Sequence, residues 1–315
     1  MISTLVAAFA RRRRAACAAH PERRRRLERP VISIGNLSMG GTGKTPLVAH
    51  VARLLLAAGH RPAILSRGYA RPRVLEGVVV VSDGTRALAP YATAGDEPLM
   101  LARQVPGCAV VVAPDRYVAG ALAERRLGCT VHVLDDGFQH LSLARALDIV
   151  IVSGRDMRDR VLPFGRLREP LDALAAADAL VAQAGDEVDP GGRPLFRMMR
   201  RVAERRDEPA LAFAGIGRPA AFFQALEEAG WTVVARVEFA DHHSYSARDL
   251  ERLARDATRA GARILVTTEK DAVRLETLPP PALPLVAAPL EVSVEPAAEF
   301  AAMLHAACGR GSATS

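Results

Sequence analysis

The chain has 315 residues, half of them apolar and only 4% aromatic, enough for two ordinary domains or one large α/β domain with an appended piece. Its net charge is +7, yet residues 1–30 hold nine Arg against Glu22 and Glu28, so this arm carries the whole excess and the remaining 285 residues are formally neutral. A basic charge confined to one arm, with few rings to stack on bases, argues against nucleic-acid binding; Cys17, Cys108, Cys129 and Cys308 form no CxxC pair, which excludes a zinc or disulfide framework and fits a reducing cytoplasm.

In the arm, Ile2, Leu5, Val6 and Phe9 fall at i, i+3, i+4 and i+7, one face of a helix, just ahead of the run Arg11–Arg14. An apolar stripe beside arginines is the makeup of a helix lying in a membrane interface, and the other reading is a solvated basic arm. No apolar run is long enough to span a bilayer, and charges that follow the apolar stretch do not make a secretory signal.

From residue 30 onward, Val/Ile-rich runs at 31–34, 62–65, 77–81, 109–112, 131–134, 148–152 and 178–182 alternate with Ala/Leu/Arg-rich helical patterns. This predicts a P-loop-type parallel sheet sandwiched by helices over 31–195. The Gly-, Pro- and charge-rich segment 185–206 reads as a junction. A second, smaller α/β unit is expected over 205–285, with strands at 211–214, 232–238 and 263–267. After the Pro-rich stretch 279–284, a strand is expected at 285–293 and a helix from 295 towards 315.

Residues 31–45 read as a buried strand entering a Gly-rich loop, Ser38-Met39-Gly40-Gly41-Thr42-Gly43-Lys44-Thr45, with a helix at once after it. Pro46 suits a first helical turn, and Leu47, Val48, Val51, Leu54 and Leu55 make a core stripe. Glycines let backbone N–H groups converge on phosphate oxygens; Lys44 then reaches the β- and γ-phosphates of ATP and the Thr45 hydroxyl ligates Mg²⁺. The pattern GxxxxGK[ST] has Gly where this chain has Ser38. The strand at 131–134 ends in Asp135-Asp136, a place where carboxylates of P-loop folds hold Mg²⁺, or simply a polar strand end entering a turn.

Several further motifs occur in order: Ser66-Arg67-Gly68-Tyr69, Gly95-Asp96-Glu97-Pro98, Asp135-Asp136-Gly137-Phe138-Gln139-His140, Leu162-Pro163-x-Gly165-x-Leu167-Arg168-Glu169, Phe213-Ala214-Gly215-Ile216-Gly217, Asp241-His242-His243 and Thr268-Glu269-Lys270-Asp271. Read locally, Asp96 is a turn residue before Pro98, and Asp241-His242-His243 a loop before a helix capped by Ser246 with Asp249 three residues on. As an ordered set, spanning about residues 30–275, the motifs resemble the tetraacyldisaccharide 4'-kinase family of lipid A biosynthesis.

That resemblance implies Mg²⁺-dependent transfer of the ATP γ-phosphate to the 4'-hydroxyl of a tetraacylated glucosamine disaccharide 1-phosphate, at the cytoplasmic face of the bacterial inner membrane. It implies two α/β/α domains joined by a two-stranded linker, here about 196–204 and 286–293, with the last helix returning to the first domain. It gives Asp96 and His242 the activation of the sugar hydroxyl and makes Arg168 and Glu169 contacts to the disaccharide or its phosphate; Arg67, Arg116 and Gln139 are weaker candidates near nucleotide or acceptor. It implies no obligate protein partner. The chain departs from the pattern at Ala146 and Ser153, where an acid is expected. Other P-loop readings remain. A GTPase would show Asn-Lys-x-Asp where this chain has Gln183-Ala184-Gly185-Asp186, and a kinase of a soluble metabolite is opposed only by the arm and the resemblance.

Overall fold

The computed structural model describes residues 2–69, 71–73, 75–203 and 205–309. Two compact units emerge, Met1–Met199 with Ser293–Ser315, and Arg200–Val292. The chain passes from the first to the second within strand β8 (Leu195–Val202) and back within β13 (Leu290–Glu295). Position 204 of the expected linker and the expected helix beyond Gly309 lie outside the described residues.

In the first unit, β1 (Val31–Asn36), β2 (Pro62–Ser66), β3 (Val79–Asp83), β4 (Ala109–Val112), β5 (Val131–Asp135), β6 (Leu147–Val152) and β7 (Ala179–Gln183) join β8 and β13 in one sheet, in the order β13-β8-β7-β6-β1-β5-β2-β4-β3. Strands β1, β2, β4 and β5 are buried along their whole length, as befits near-continuous Val/Ile/Leu strands covered on both faces. The pairs β1–β5, β1–β6, β2–β5, β2–β4, β6–β7 and β7–β8 are parallel. The parallel expectation fails at the edge, where β3 runs antiparallel to β4 with a register shift between Val80 and Ser82. An edge strand answers to a single neighbour, so nothing on its outer side dictates its direction.

Helix α2 (Lys44–Ala57) follows β1 and buries Leu47, Val48, Val51 and Leu55. Helices α3 (Tyr91–Ala94), α4 (Asp96–Gln104) and α5 (Arg116–Leu127) follow β3 and β4. The C-terminal helix α9 (Ala297–Gly309) belongs to this unit: Phe300 is buried, stacked on His50 of α2 with ring centroids 6.3 Å apart and edge-on to Phe196 of β8 at 5.0 Å.

The N-terminal helix α1 (Ile2–Ala19) is not a free arm. Ala10 is buried, Val6 and Ala7 pack on a cluster containing Leu37, Phe138 and Leu167, and Ser3 Oγ donates to the Val161 carbonyl at 3.2 Å. Leu5 and Phe9 remain exposed, at 66% and 70%. The stripe seen in the sequence therefore divides, Val6 turning to the protein and Leu5 and Phe9 to solvent. Beyond α1, the Arg25 guanidinium pairs with Asp115 at 2.5 Å and the Arg29 N–H donates to Glu124, so the arm runs along the first unit as far as β1.

The second unit holds a four-stranded sheet in the order β10-β9-β11-β12, built from β9 (Ala210–Ala214), β10 (Val233–Glu238), β11 (Ile264–Thr268) and β12 (Leu285–Ala288). The pairs β9–β10, β9–β11 and β11–β12 are all parallel. Helices α6 (Pro219–Glu228), α7 (Ala247–Arg259) and α8 (Glu269–Leu275) complete it. The expected cap of α7 is present in full: Ser246 Oγ accepts from the Asp249 N–H and the Asp249 carboxylate accepts from the Ser246 N–H, so two otherwise orphaned amides are satisfied.

Candidate active site

Strands β1, β5, β2 and β4 are neighbours and parallel, so their C-terminal ends lie side by side and the segments leaving them converge. From β1 leaves the Gly-rich loop, from β5 Asp135-Asp136, from β2 Ser66-Arg67, and from β4 the turn leading to Arg116. This is the crevice where open parallel sheets place their ligands.

The Gly-rich loop closes on α2 through Gly43, at φ 91°, a left-handed conformation that costs glycine nothing. Ser38, the departure from the phosphate-loop pattern, is buried; its segment pairs with Leu167 in a short antiparallel bridge, and the Met39 N–H donates to the Arg166 carbonyl. A side chain is thus accommodated at 38 because that part of the loop is pinned to the 166–168 segment. The loop residues Met39, Gly40 and Gly41 are exposed.

The residue at the end of β1 organises the charges. Asn36, fully buried, donates through Nδ2 to the Ser38 carbonyl at 2.7 Å, while its Oδ1 accepts from Lys44 Nζ at 3.0 Å and from Arg168 Nη2. Its backbone carbonyl accepts from Arg168 Nη2 at 3.0 Å and from Gln139 Nε2 at 2.9 Å. Arg168 grips Asp136 with two bonds of 2.7 Å, and Lys44 Nζ lies 3.8 Å from the same carboxylate. Burial alone would raise the Asp136 carboxyl, but Arg168 and Lys44 hold it below the usual range; its backbone has φ 55°, an uncommon left-handed position for a non-glycine residue. Burial pushes the Asp135 carboxyl up to about 7, with Glu97 and Asp136 adding repulsion against the pull of Lys44 and Arg116. The two adjacent acids are thus driven apart by their surroundings.

Arg116 is buried beside Asp135 and Asp136, and Arg67, on the exposed loop after β2, lies near enough to repel it. Asp96 is buried at the first turn of α4, where it accepts from the Glu97 N–H at 2.9 Å. Glu169 is buried, accepting from Gln139 Nε2 at 3.4 Å and paired with Arg14 of α1.

In the second unit, His242 sits at φ 58°, its N–H bonded to the Gly215 carbonyl. Its imidazole lies between two cations, Nε2 at 3.3 Å from Lys270 Nζ and Nδ1 at 3.3 Å from Arg274 Nη2. Arg274 is fixed by a buried ion pair to Asp271 at 2.9 Å, and Asp271 also accepts from the Gly215 N–H and the Thr268 hydroxyl. The Phe213–Gly217 and Thr268–Asp271 motifs thereby orient one histidine ring.

Comparison with known proteins settles which family this constellation belongs to. The family model described as tetraacyldisaccharide-1-P 4'-kinase matches residues 1–309. The chain belongs to that family. Among curated relatives it is 45% identical over 282 residues to the tetraacyldisaccharide 4'-kinase of Geobacter metallireducens, covering 80% of each chain. It is 39% identical over 311 residues to that of Syntrophus aciditrophicus, covering 87% of this chain and 83% of the relative. The crystal structure of LpxK from Aquifex aeolicus in complex with ATP superposes with a TM-score of 0.82 at 33% identity, covering 98% of this chain and 97% of that one.

Against this background, Lys44, Asp136, Arg168, Gln139 and Asn36 form one hydrogen-bonded cluster; Asp96 belongs to the first unit and His242 to the second. The motifs did not single out Asn36, Arg14 or Arg274. Only Asn36 carries a signal, as a polar residue ending an otherwise apolar strand directly before a Gly-rich loop. The two departures acquire partners: Arg145, lacking an acid at 146, pairs with Asp148 at 2.8 Å, and Ser153 accepts the Asp156 N–H and donates to the Asp156 carboxylate, closing a local turn.

Proposed function

We infer that the cluster around Asn36 is the phosphoryl-transfer centre of this kinase, which catalyses ATP-dependent phosphorylation of the 4'-hydroxyl of a tetraacylated disaccharide 1-phosphate in lipid A biosynthesis. The observation that carries the assignment is the sharing of one amide oxygen by Lys44 and Arg168, two cations gathered at the mouth of the Gly-rich loop. The residues present fit a polyphosphate: Thr42 Oγ1, Arg116 Nε and Arg168 Nε are buried with no hydrogen-bond partner in the protein, and all can donate to phosphate oxygens. Mg²⁺ fits hydroxyl and carboxylate oxygens and keeps much of its shell from water and phosphate. Thr45, Asp135 and Asp136 would hold it, and it would neutralise charge on the β- and γ-phosphates.

The protein's own work then follows. Backbone N–H groups of the 38–45 loop other than that of Met39, with the start of α2, bind the polyphosphate, and Lys44 leaves Asn36 to meet the γ-phosphate. Arg168 and Arg116 stabilise charge on the transferring group, and Arg67 lies at the exposed margin. Asp96 accepts the proton of the 4'-hydroxyl as the oxygen attacks phosphorus, His242 acts with it, and Gln139 and Glu169 contact the disaccharide. A membrane surface is the natural place for an acylated acceptor. Leu5 and Phe9, exposed beside an Arg run, supply the apolar contact and cationic rim for an anionic leaflet, here assigned to the cytoplasmic face of the inner membrane. No helix among the described residues is long and apolar enough to cross a membrane.

The test is transfer of labelled γ-phosphate to the acylated disaccharide 1-phosphate with Mg²⁺, comparing wild type with Lys44→Ala and Thr45→Ala. Each variant is expected to lose at least about 100-fold in kcat, since each removes charge stabilisation at the transferring group. Retained turnover in both would remove the phosphate loop from the reaction.

A further inference from the structure

Arg14 stands on the third to fourth turn of α1, far in sequence from every motif, yet its side chain is only 13% exposed. It makes four contacts with two motif segments. Nε donates to Glu169 Oε2 at 3.1 Å, Nη2 donates to the same oxygen and to the Phe138 carbonyl at 3.2 Å, and the guanidinium plane lies 4.0 Å from the centroid of the Phe138 ring. Arg13 adds a bond of 2.7 Å to the Gln139 carbonyl. The segment so gripped has no slack beneath it: a Cβ at Gly35 of β1 would stand 2.5 Å from Phe138 Cβ and 2.8 Å from its amide nitrogen. Phe138 is thus pressed between β1 and a cation, in the turn that links Asp136 to Gln139.

We propose that Arg14 is a positioning residue of the kinase reaction, through which α1 fixes both the Glu169 carboxylate and the Phe138-Gln139 turn. The proposal rests on the assignment of Glu169 and Gln139 to the acceptor site. Glu169 is 4% exposed at its side chain, and besides Arg14 its bond to Gln139 is long at 3.4 Å. Without the guanidinium, a buried carboxylate next in sequence to Arg168 keeps one weak partner. It then competes with Asp136 for the Arg168 fork and disturbs the pairing described above. A lysine cannot substitute fully, because a point charge reproduces neither the fork to Glu169 and Phe138 nor the stack on the ring. These contacts touch neither Lys44 nor the Gly-rich loop directly and reach the nucleotide only through Arg168, so acceptor kinetics suffer more than nucleotide affinity.

The experiment measures kcat, acceptor KM, affinity for a non-hydrolysable ATP analogue and melting temperature for Arg14→Gln, Arg14→Lys, Glu169→Gln and the double variant Arg14→Gln/Glu169→Gln. Arg14→Gln is expected to lose at least about tenfold in kcat/KM for the acceptor with a smaller loss of analogue affinity, Arg14→Lys to fall between, and the double variant to lose less than the product of the two single losses. Wild-type kinetics in Glu169→Gln would sink the acceptor-site assignment and this proposal with it. An impaired Glu169→Gln beside an unimpaired Arg14→Gln would overturn the proposal alone. So would losses that multiply in the double variant, or that spread equally over analogue affinity and melting temperature. If Arg14→Gln does not fold, Arg14→Lys decides, because wild-type kinetics there would leave the fork and stack without a role.

Discussion

Asn36→Asp is the sharpest perturbation of the charge cluster, because it changes one atom and no shape. In the native chain a neutral amide oxygen holds Lys44 at 3.0 Å and Arg168, two cations that must turn to phosphate. Both contacts are already charge-assisted through the cation, and turning the acceptor into an anion adds Coulomb attraction of at least about 1 kcal/mol per contact, the value for unit charges about 4 Å apart in bulk water. With two contacts, at least about 2 kcal/mol must be overcome before the cations reach the nucleotide, an affinity loss of roughly 30-fold or more. The lost Nδ2 donor to the Ser38 carbonyl costs stability, and the two new ion pairs offset it, so the melting temperature should move little. The assay is calorimetric titration with a non-hydrolysable ATP analogue beside thermal unfolding. Asn36→Ala serves as comparison, and should lower stability more and nucleotide affinity less. Wild-type affinity in Asn36→Asp would show that Lys44 and Arg168 do not leave Asn36 for the phosphates, and the account of the cluster would fail.

If Asp96 and His242 act as one unit, Asp96→Asn and His242→Ala should each depress kcat, with the double variant hardly worse than the poorer single one; multiplicative losses with a lowered melting temperature would mean two independent structural roles. Leu5→Ser/Phe9→Ser should reduce flotation with anionic vesicles while leaving the melting temperature unchanged, since both side chains are exposed and support no core; unchanged flotation would refute the membrane face. His140 has its pKa lowered from 6.5 to about 4, first by burial and then by Arg116. The unfolded chain therefore binds more protons between these values, and stability falls as pH drops through that window. Wild type should thus lose more melting temperature than His140→Gln on going from pH 7 to pH 5, and equal losses would refute the sign.

Much of the architecture is legible in the sequence because it depends on local rules. Apolar runs of four to six residues bounded by helical patterns mark the strands of the first unit. A Gly-rich stretch between apolar runs marks the loop that joins β1 to α2, and Ser246 with Asp249 three residues on marks a helix start. These features need only neighbours within a few positions, and periodicity reports them faithfully.

Tertiary structure alone decided how charges separated by more than a hundred residues were shared. The helical stripe of α1 looked the same whether it faced lipid, water or protein; docking on the Phe138 cluster selected Val6 and Ala10 for burial, left Leu5 and Phe9 outside and brought Arg14 to Glu169. Asn36 gained its role from the sheet order that sets β1 beside β5 and β6, and from the return of the 166–168 segment over the loop, which together carry Lys44, Asp136 and Arg168 within its reach. Arg145 found its acid at 148 instead of 146. A side chain's period tells which face it lies on, but a buried ion pair requires that two faces meet. That meeting is set by packing of the whole unit, because a buried charge is tolerated only where the fold happens to supply its partner.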